Sequence, residues 1–143
     1  MRKKIFLDAN ILIELVNANN KLNKQITFLF NRVRKNKDNL YCSPTSFAIT
    51  YFFLGKQIKS RQLLNEHTIN FFSEFYCTRE NDLIMEKVKN SKFRDLEDAL
   101  QYYSAEYAGV KIIINNNYFD LKHSMIPVYQ PLQSINQFLI KNY

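Results

Sequence analysis

Residues 94–117 read RDLEDALQYYSAEYAGVKIIINNN, and this stretch decides the fold class. Leu96, Ala99, Leu100, Tyr103 and Tyr107 recur at helical spacing, which predicts an amphipathic helix over residues 94–108 with those side chains on its apolar face. Gly109 closes the pattern, and Val110 to Ile114 is a short β-branched run of the kind that forms a strand buried on both faces. A helix leading directly into a buried strand is the unit of a parallel α/β sheet.

The N-terminal stretch KIFLDANILIELV, residues 4–16, has the same parts in the opposite order: an apolar run stops at Asp8, and an apolar pattern then resumes. Leu40–Cys42 and Phe75–Thr78 are weaker strand candidates. Helical patterns cover 21–35, 44–54, 58–73 and 80–90, with Pro44 at a favoured first-turn position, and residues 134–140 suggest a last short helix.

The totals bound the function. A chain of 143 residues with 46% apolar composition, 12 Phe and 9 Tyr is expected to fold as one domain over residues 1–143. No 18-residue apolar stretch exists, so no membrane span is expected. The charged start resembles a signal peptide only until Asp8 interrupts it, which favours a cytoplasmic location. Cys42 and Cys77 fit no zinc spacing and read as two small buried hydrophobes; His67 and His123 stand alone. The net charge of +7 permits attraction to polyanions such as nucleic acid.

In a parallel sheet a strand ending in a polar residue places that residue at the carboxyl edge. Asp8 closes the first strand and Asn115 to Asn117 close the strand beginning near Val110. The helix over 94–108 precedes that strand, so its first turn, with Asp95, Glu97 and Asp98, lies at the same edge. Asp95 and Asp98 share a helix face, and Asp120 follows closely on the Asn run. Open α/β sheets bind ligands at that rim. Clustered carboxylates repel unless a proton or a cation offsets them, and an oxygen-only donor set suits Mg²⁺ or Mn²⁺. A metal there would support phosphodiester hydrolysis. Each acid also has a purely structural reading: Asp95 as a helix cap, Asp98 as a partner of the helix dipole, Asp8 as a turn former.

At these residues the sequence resembles the PIN domain, the nuclease fold of VapC-type toxins. IFLDANILIEL is similar to the family's opening strand and helix, DLEDALQYYSAEYAGVKIIINNNYFDL to its acidic helix and following strand, and IPVYQPLQSINQFL to its last strand and helix. The likeness runs from about Lys4 to Leu139. It implies a three-layer α/β/α sandwich with a mainly parallel sheet and a metal-dependent ribonuclease acting on single-stranded RNA. It also implies a homodimer and a small antitoxin partner. Asp8 and Asp98 match the family's metal carboxylates, Asp95 matches an additional acid, and Asp120 is a further candidate ligand. Asn117 falls where a fourth acid is usual, and Ile49, one turn beyond Ser46, falls where another is usual.

By this reading Asp8, Asp95, Asp98, Asn117 and Asp120 are the candidate catalytic residues. Asn10, Ser46, Arg94, Asn115 and Tyr118 are expected to contact substrate. Arg32, Arg34, Lys35, Lys37, Lys87, Lys89 and Lys92 are candidates for an RNA track, and Tyr102 for base stacking. The two non-acidic positions leave open an alternative, a weak or inactive PIN-like module that binds RNA or protein. A phosphoryl-transfer enzyme with an Asp after the first strand fits less well, since Asn10 and Asn115 stand where such folds need an acid and a lysine.

Overall fold

The computed structural model describes residues 2–17, 23–116 and 124–131. Five strands, β1 (Lys4–Leu7), β2 (Asn39–Cys42), β3 (Phe75–Cys77), β4 (Ile112–Ile114) and β5 (Val128–Tyr129), form one sheet. Their order is β3-β2-β1-β4-β5 and every pairing is parallel. Among the described residues six helices accompany them: α1 (Ala9–Val16), α2 (Asn23–Lys35), α3 (Pro44–Gln57), α4 (Arg61–Phe72), α5 (Asp82–Lys89) and α6 (Leu96–Tyr107). The expected α/β class and parallel sheet are observed; the helix anticipated over 134–140 lies outside the described residues.

Period-2 alternation sends side chains to two cores. Ile5, Leu7, Leu40, Cys42, Ile112 and Ile114 pack with Ile11, Leu12, Ile26, Leu29 and Val33 of α1 and α2. Phe6 and Ile113 point the other way, onto Ile84 and Val88 of α5 and Ala99, Tyr102 and Ala105 of α6. Both faces of the sheet are covered, which is why its strands are short, continuous apolar runs.

The ends of the helices are set by local chemistry. Asp8, Ser43, Ser60, Asn81 and Asp95 each cap a helix with a side-chain oxygen accepting a backbone N–H. Pro44 opens α3. Gly109 has φ 74 just past α6, a conformation that strains any residue with a Cβ.

Two expectations are corrected here. The buried face of α6 carries Ala99, Gln101, Tyr102, Ser104 and Ala105, whereas Leu96 and Tyr107 are largely exposed. The helix is rotated from the apolar count because two of its buried residues are polar and meet buried partners. Of the two cysteines, Cys42 is buried but Cys77 is exposed, and parallel register makes them direct neighbours on β2 and β3.

Candidate active site

The sheet order reverses direction between β1 and β4, and that switch point is where open α/β sheets form a crevice at the carboxyl ends of their strands. Asp8 stands there. Its backbone N–H continues the ladder to the Ile114 carbonyl at 3.1 Å. Its own carbonyl accepts from Ile11 and Leu12, and carboxylate oxygen Oδ2 accepts from the Asn10 N–H at 3.3 Å. Asp8 is therefore the last rung of the sheet and the first cap of α1, and it is 3% exposed. A carboxylate so buried benefits from the positive end of the α1 dipole.

Asn10 spans the switch point. Its Nδ2 donates to Asn115 Oδ1 at 3.0 Å, and its Oδ1 accepts from the Asn116 N–H at 3.2 Å. A backbone N–H can only donate, so the second bond fixes which way the Asn10 amide faces.

The acidic turn of α6 comes to the same rim. Asp95 is the N-cap, with Oδ1 accepting from Glu97 N at 2.8 Å and Asp98 N at 3.3 Å. Asp98 lies half-buried behind it. The Glu97 carboxyl is pushed above its ordinary value, by burial first and by the Asp95 charge second.

Gln101 joins these pieces. It is buried, one turn beyond Asp98. Its Oε1 accepts from the Ala9 N–H at 3.1 Å and from Ser46 Oγ at 2.8 Å, and its Nε2 donates to Glu97 Oε1 at 3.4 Å. Because Ser46 gives its proton to Gln101, the Ser43 hydroxyl is the donor in the 2.8 Å Ser43–Ser46 contact. On the far side, Thr78 Oγ1 donates to Ser104 Oγ at 3.0 Å, and that hydroxyl donates to the Gln101 carbonyl at 2.9 Å. A belt of buried hydroxyls and amides thus underlies the acidic rim. At its margin the Glu80 carboxylate accepts from both Thr45 N and Thr45 Oγ1 at 2.8 Å, at the start of α3.

The structure brings Asp8, Asn10 and Asn115 together directly, and joins them through Gln101 to the turn bearing Asp95 and Asp98. Arg94, exposed, immediately precedes that turn. Asn117, Tyr118 and Asp120 lie outside the described residues. Ser46 and Asn115 are fully buried, so the expectation that they touch substrate is revised: Ser46 spends its hydroxyl on Ser43 and Gln101, and Asn115 holds the rim closed through Asn10. Tyr102 is also removed from the rim. It is buried against Phe93 and Tyr103, with its hydroxyl donating to Glu106 Oε2 at 3.0 Å.

The proposed basic track divides. Arg32, Arg34, Lys35 and Lys37 belong to the end of α2 and the turn after it, which sits at the amino edge, where Asp38 receives the Lys3 N–H just before β1. They face away from the rim. Arg34 pairs with Glu74 at 2.7 Å, Lys87 with Glu106 at 3.5 Å and Lys89 with Glu86 at 3.2 Å.

Gln101, Ser43, Thr45 and Glu80 were missed by sequence reasoning. For Gln101 the available signal was its position in phase with Ala99, Tyr102 and Ala105 on a buried face.

Among the described residues no three His, Cys, Asp or Glu side chains are gathered closely enough to hold a metal by themselves. The donor set still fits a hard ion. Mg²⁺ is commonly held by one or two carboxylates and keeps several waters, and among the described residues the rim offers two acids, Asp8 and Asp98, beside the amide oxygens of Asn10 and Asn115, with no sulfur or imidazole.

The PIN-domain family model matches residues 4–118. Ribonuclease VapC1 of Aquifex aeolicus (strain VF5) is 26% identical over 118 residues, covering 80% of this chain and 82% of that protein. Among solved structures, VapBC2 from Rickettsia felis bound to a promoter DNA fragment superposes with a TM-score of 0.67 at 13% identity, over 89% of this chain and 98% of that one. VapC20 from Mycobacterium tuberculosis, a sarcin–ricin loop cleaving toxin, gives 0.61 at 15% identity, over 76% and 86%. At these identities the structural likeness establishes a shared fold. Among the described residues no helix is long and apolar enough to cross a membrane.

Proposed function

This chain belongs to the PIN-domain family, and from that premise we propose that it is a Mg²⁺-dependent endoribonuclease that cuts single-stranded RNA, the toxin of a toxin–antitoxin pair. The observation carrying this reading is the meeting of β1, α3, α6 and β4 at one sheet edge, with Gln101 bonded to the amide next to Asp8 and standing one turn beyond Asp98. The roles named for the Aquifex relative, a ribonuclease, and for the Mycobacterium toxin support it. The antitoxin-bearing complexes of similar fold support the partner, and a homodimer follows the same family expectation.

In this mechanism Asp8 and Asp98 hold the ion, with Asp120 as a third ligand and Asn117 assisting. When bound, Mg²⁺ would supply positive charge against the phosphodiester and lower the pKa of a water so that its deprotonated oxygen could attack. Hydrolysis would add the water oxygen to phosphorus and break one P–O ester bond, the water's proton passing to solvent and the departing oxygen taking one from solvent. Asp95 has its Oδ1 engaged by the α6 N–H groups, so it acts by fixing that turn. Asn10, half-buried, and Arg94, exposed, meet the RNA, and Tyr118 stacks on a base. Ser46 and Asn115 act from beneath.

Purified protein should cut unstructured RNA with Mg²⁺, not with EDTA, and lose this on Asp98→Asn. Cleavage that persists in the variant would remove the reading. A second reading rests on Ile49, an apolar side chain on α3 where the family usually has an acid. There the fold binds RNA without cutting it, and calorimetry would show RNA binding indifferent to Mg²⁺.

A further inference from the structure

We propose that Gln101 is a positioning residue that sets the separation of Asp8 and Asp98, and with it the affinity for the divalent ion. This rests on the metal-site reading above. The two acids come from distant parts of the chain: Asp8 ends β1, while Asp98 lies in the first turn of α6. Gln101 reaches 92 positions back to bond the Ala9 N–H, the amide next to Asp8. It stands one turn from Asp98 on the same helix side. The side chain thus ties the helix that carries Asp98 to the amide that follows Asp8.

The bonding leaves the side chain little freedom. Both lone pairs of Oε1 are used, by Ala9 N and Ser46 Oγ, and one of the two Nε2 hydrogens goes to Glu97. The Ala9 amide, being a donor only, forbids the flipped amide. Gln101 is 1% exposed and Ala9 is 3% exposed, so water is poorly placed to substitute. Asparagine would fall short by one methylene, roughly 1.5 Å. Methionine keeps the length and loses the acceptor. Glutamate keeps the acceptor and loses the donor to Glu97.

The test measures Mn²⁺ binding by electron paramagnetic resonance and Ala9 amide exchange by NMR, in wild type, Gln101→Met, Ser46→Ala and Asp8→Asn. Removing a group that orients a metal ligand typically costs about 10–100-fold in affinity. Gln101→Met is expected to weaken Mn²⁺ binding by at least about tenfold and to speed Ala9 exchange in the metal-free protein. Ser46→Ala should be intermediate. If Asp8→Asn abolishes binding while Gln101→Met and Ser46→Ala match wild type, the Gln101 proposal is overturned and the metal site stands. If Asp8→Asn binds Mn²⁺ as wild type does, the metal site itself is overturned, and this proposal with it. Should Gln101→Met not fold, Ser46→Ala decides: unchanged affinity and unchanged Ala9 exchange would refute the proposal.

Discussion

Asp8 has two separable tasks, capping α1 and carrying negative charge, and substitutions divide them. Asp8→Asn keeps an oxygen able to accept the Asn10 N–H, and Asn caps helices about as well as Asp. It loses the charge at the α1 N-terminus, worth about 0.3–1 kcal/mol and up to ~2 in a partly buried setting. It also escapes the desolvation of a carboxylate that is 3% exposed, which acts in the opposite direction. The two effects nearly cancel, so Asp8→Asn should lie within about 1 kcal/mol of wild type in EDTA. Asp8→Ala removes the acceptor and leaves the Asn10 N–H without that partner. The expected loss is about 1–2 kcal/mol, a fall of roughly 2–8 °C in Tm for a chain of this size. Urea unfolding in EDTA should rank wild type and Asn together, with Ala below. With Mg²⁺ at a hundred times its Kd, wild type alone should gain about 2.7 kcal/mol. Equal destabilisation by Asn and Ala in EDTA would refute the capping argument, and an equal Mg²⁺ gain in the Asn variant would refute the charge argument.

Glu97 gives a pH prediction. Its folded-state carboxyl titrates above the ordinary 4.5, so the folded protein holds more protons than the unfolded one and stability declines as pH rises through that window. In metal-free buffer Glu97→Gln should be more stable than wild type at pH 7, with the difference vanishing below pH 4.5; chemical denaturation across pH measures it. The two thiols should differ: Cys77 should react with an aromatic disulfide reagent in the native protein, faster at alkaline pH. Cys42, pushed up to about 12 by burial foremost and by neighbouring Cys77, should react only on unfolding. Two thiols titrated at equal speed in the native state would contradict this. Phe6→Ala, at a fully buried position on the central strand, should cost about 3–5 kcal/mol, readable as a lowered urea midpoint with unchanged slope.

The sheet was legible because buried parallel strands announce themselves as apolar runs, and Asp8 and Asn115 were legible because each interrupts such a run. Asp95 read correctly as a possible cap, since capping depends on neighbours two and three residues away. The belt beneath the rim was not legible. Periodicity counts apolar side chains, so Gln101 and Ser104 looked like the solvent side of α6, and the face was assigned through Leu96 and Tyr107 instead. Contacts such as Ser46 with Gln101 leave no trace in local sequence, because each partner is ordinary in its own helix. The cations of α2 were misjudged for a related reason: composition reports their number, while the direction of the helix decides which edge they occupy.

The strand order has a consequence during synthesis. The central strand β1 is made before both of its neighbours, and Asn10 waits for a partner 105 positions downstream. At ordinary elongation rates that is a delay of about 5–20 s. A nascent chain stopped anywhere before Asn115 carries Asp8 but has no closed crevice around it. On the proposed ribonuclease reading, the order of translation alone keeps an unfinished copy from assembling its crevice.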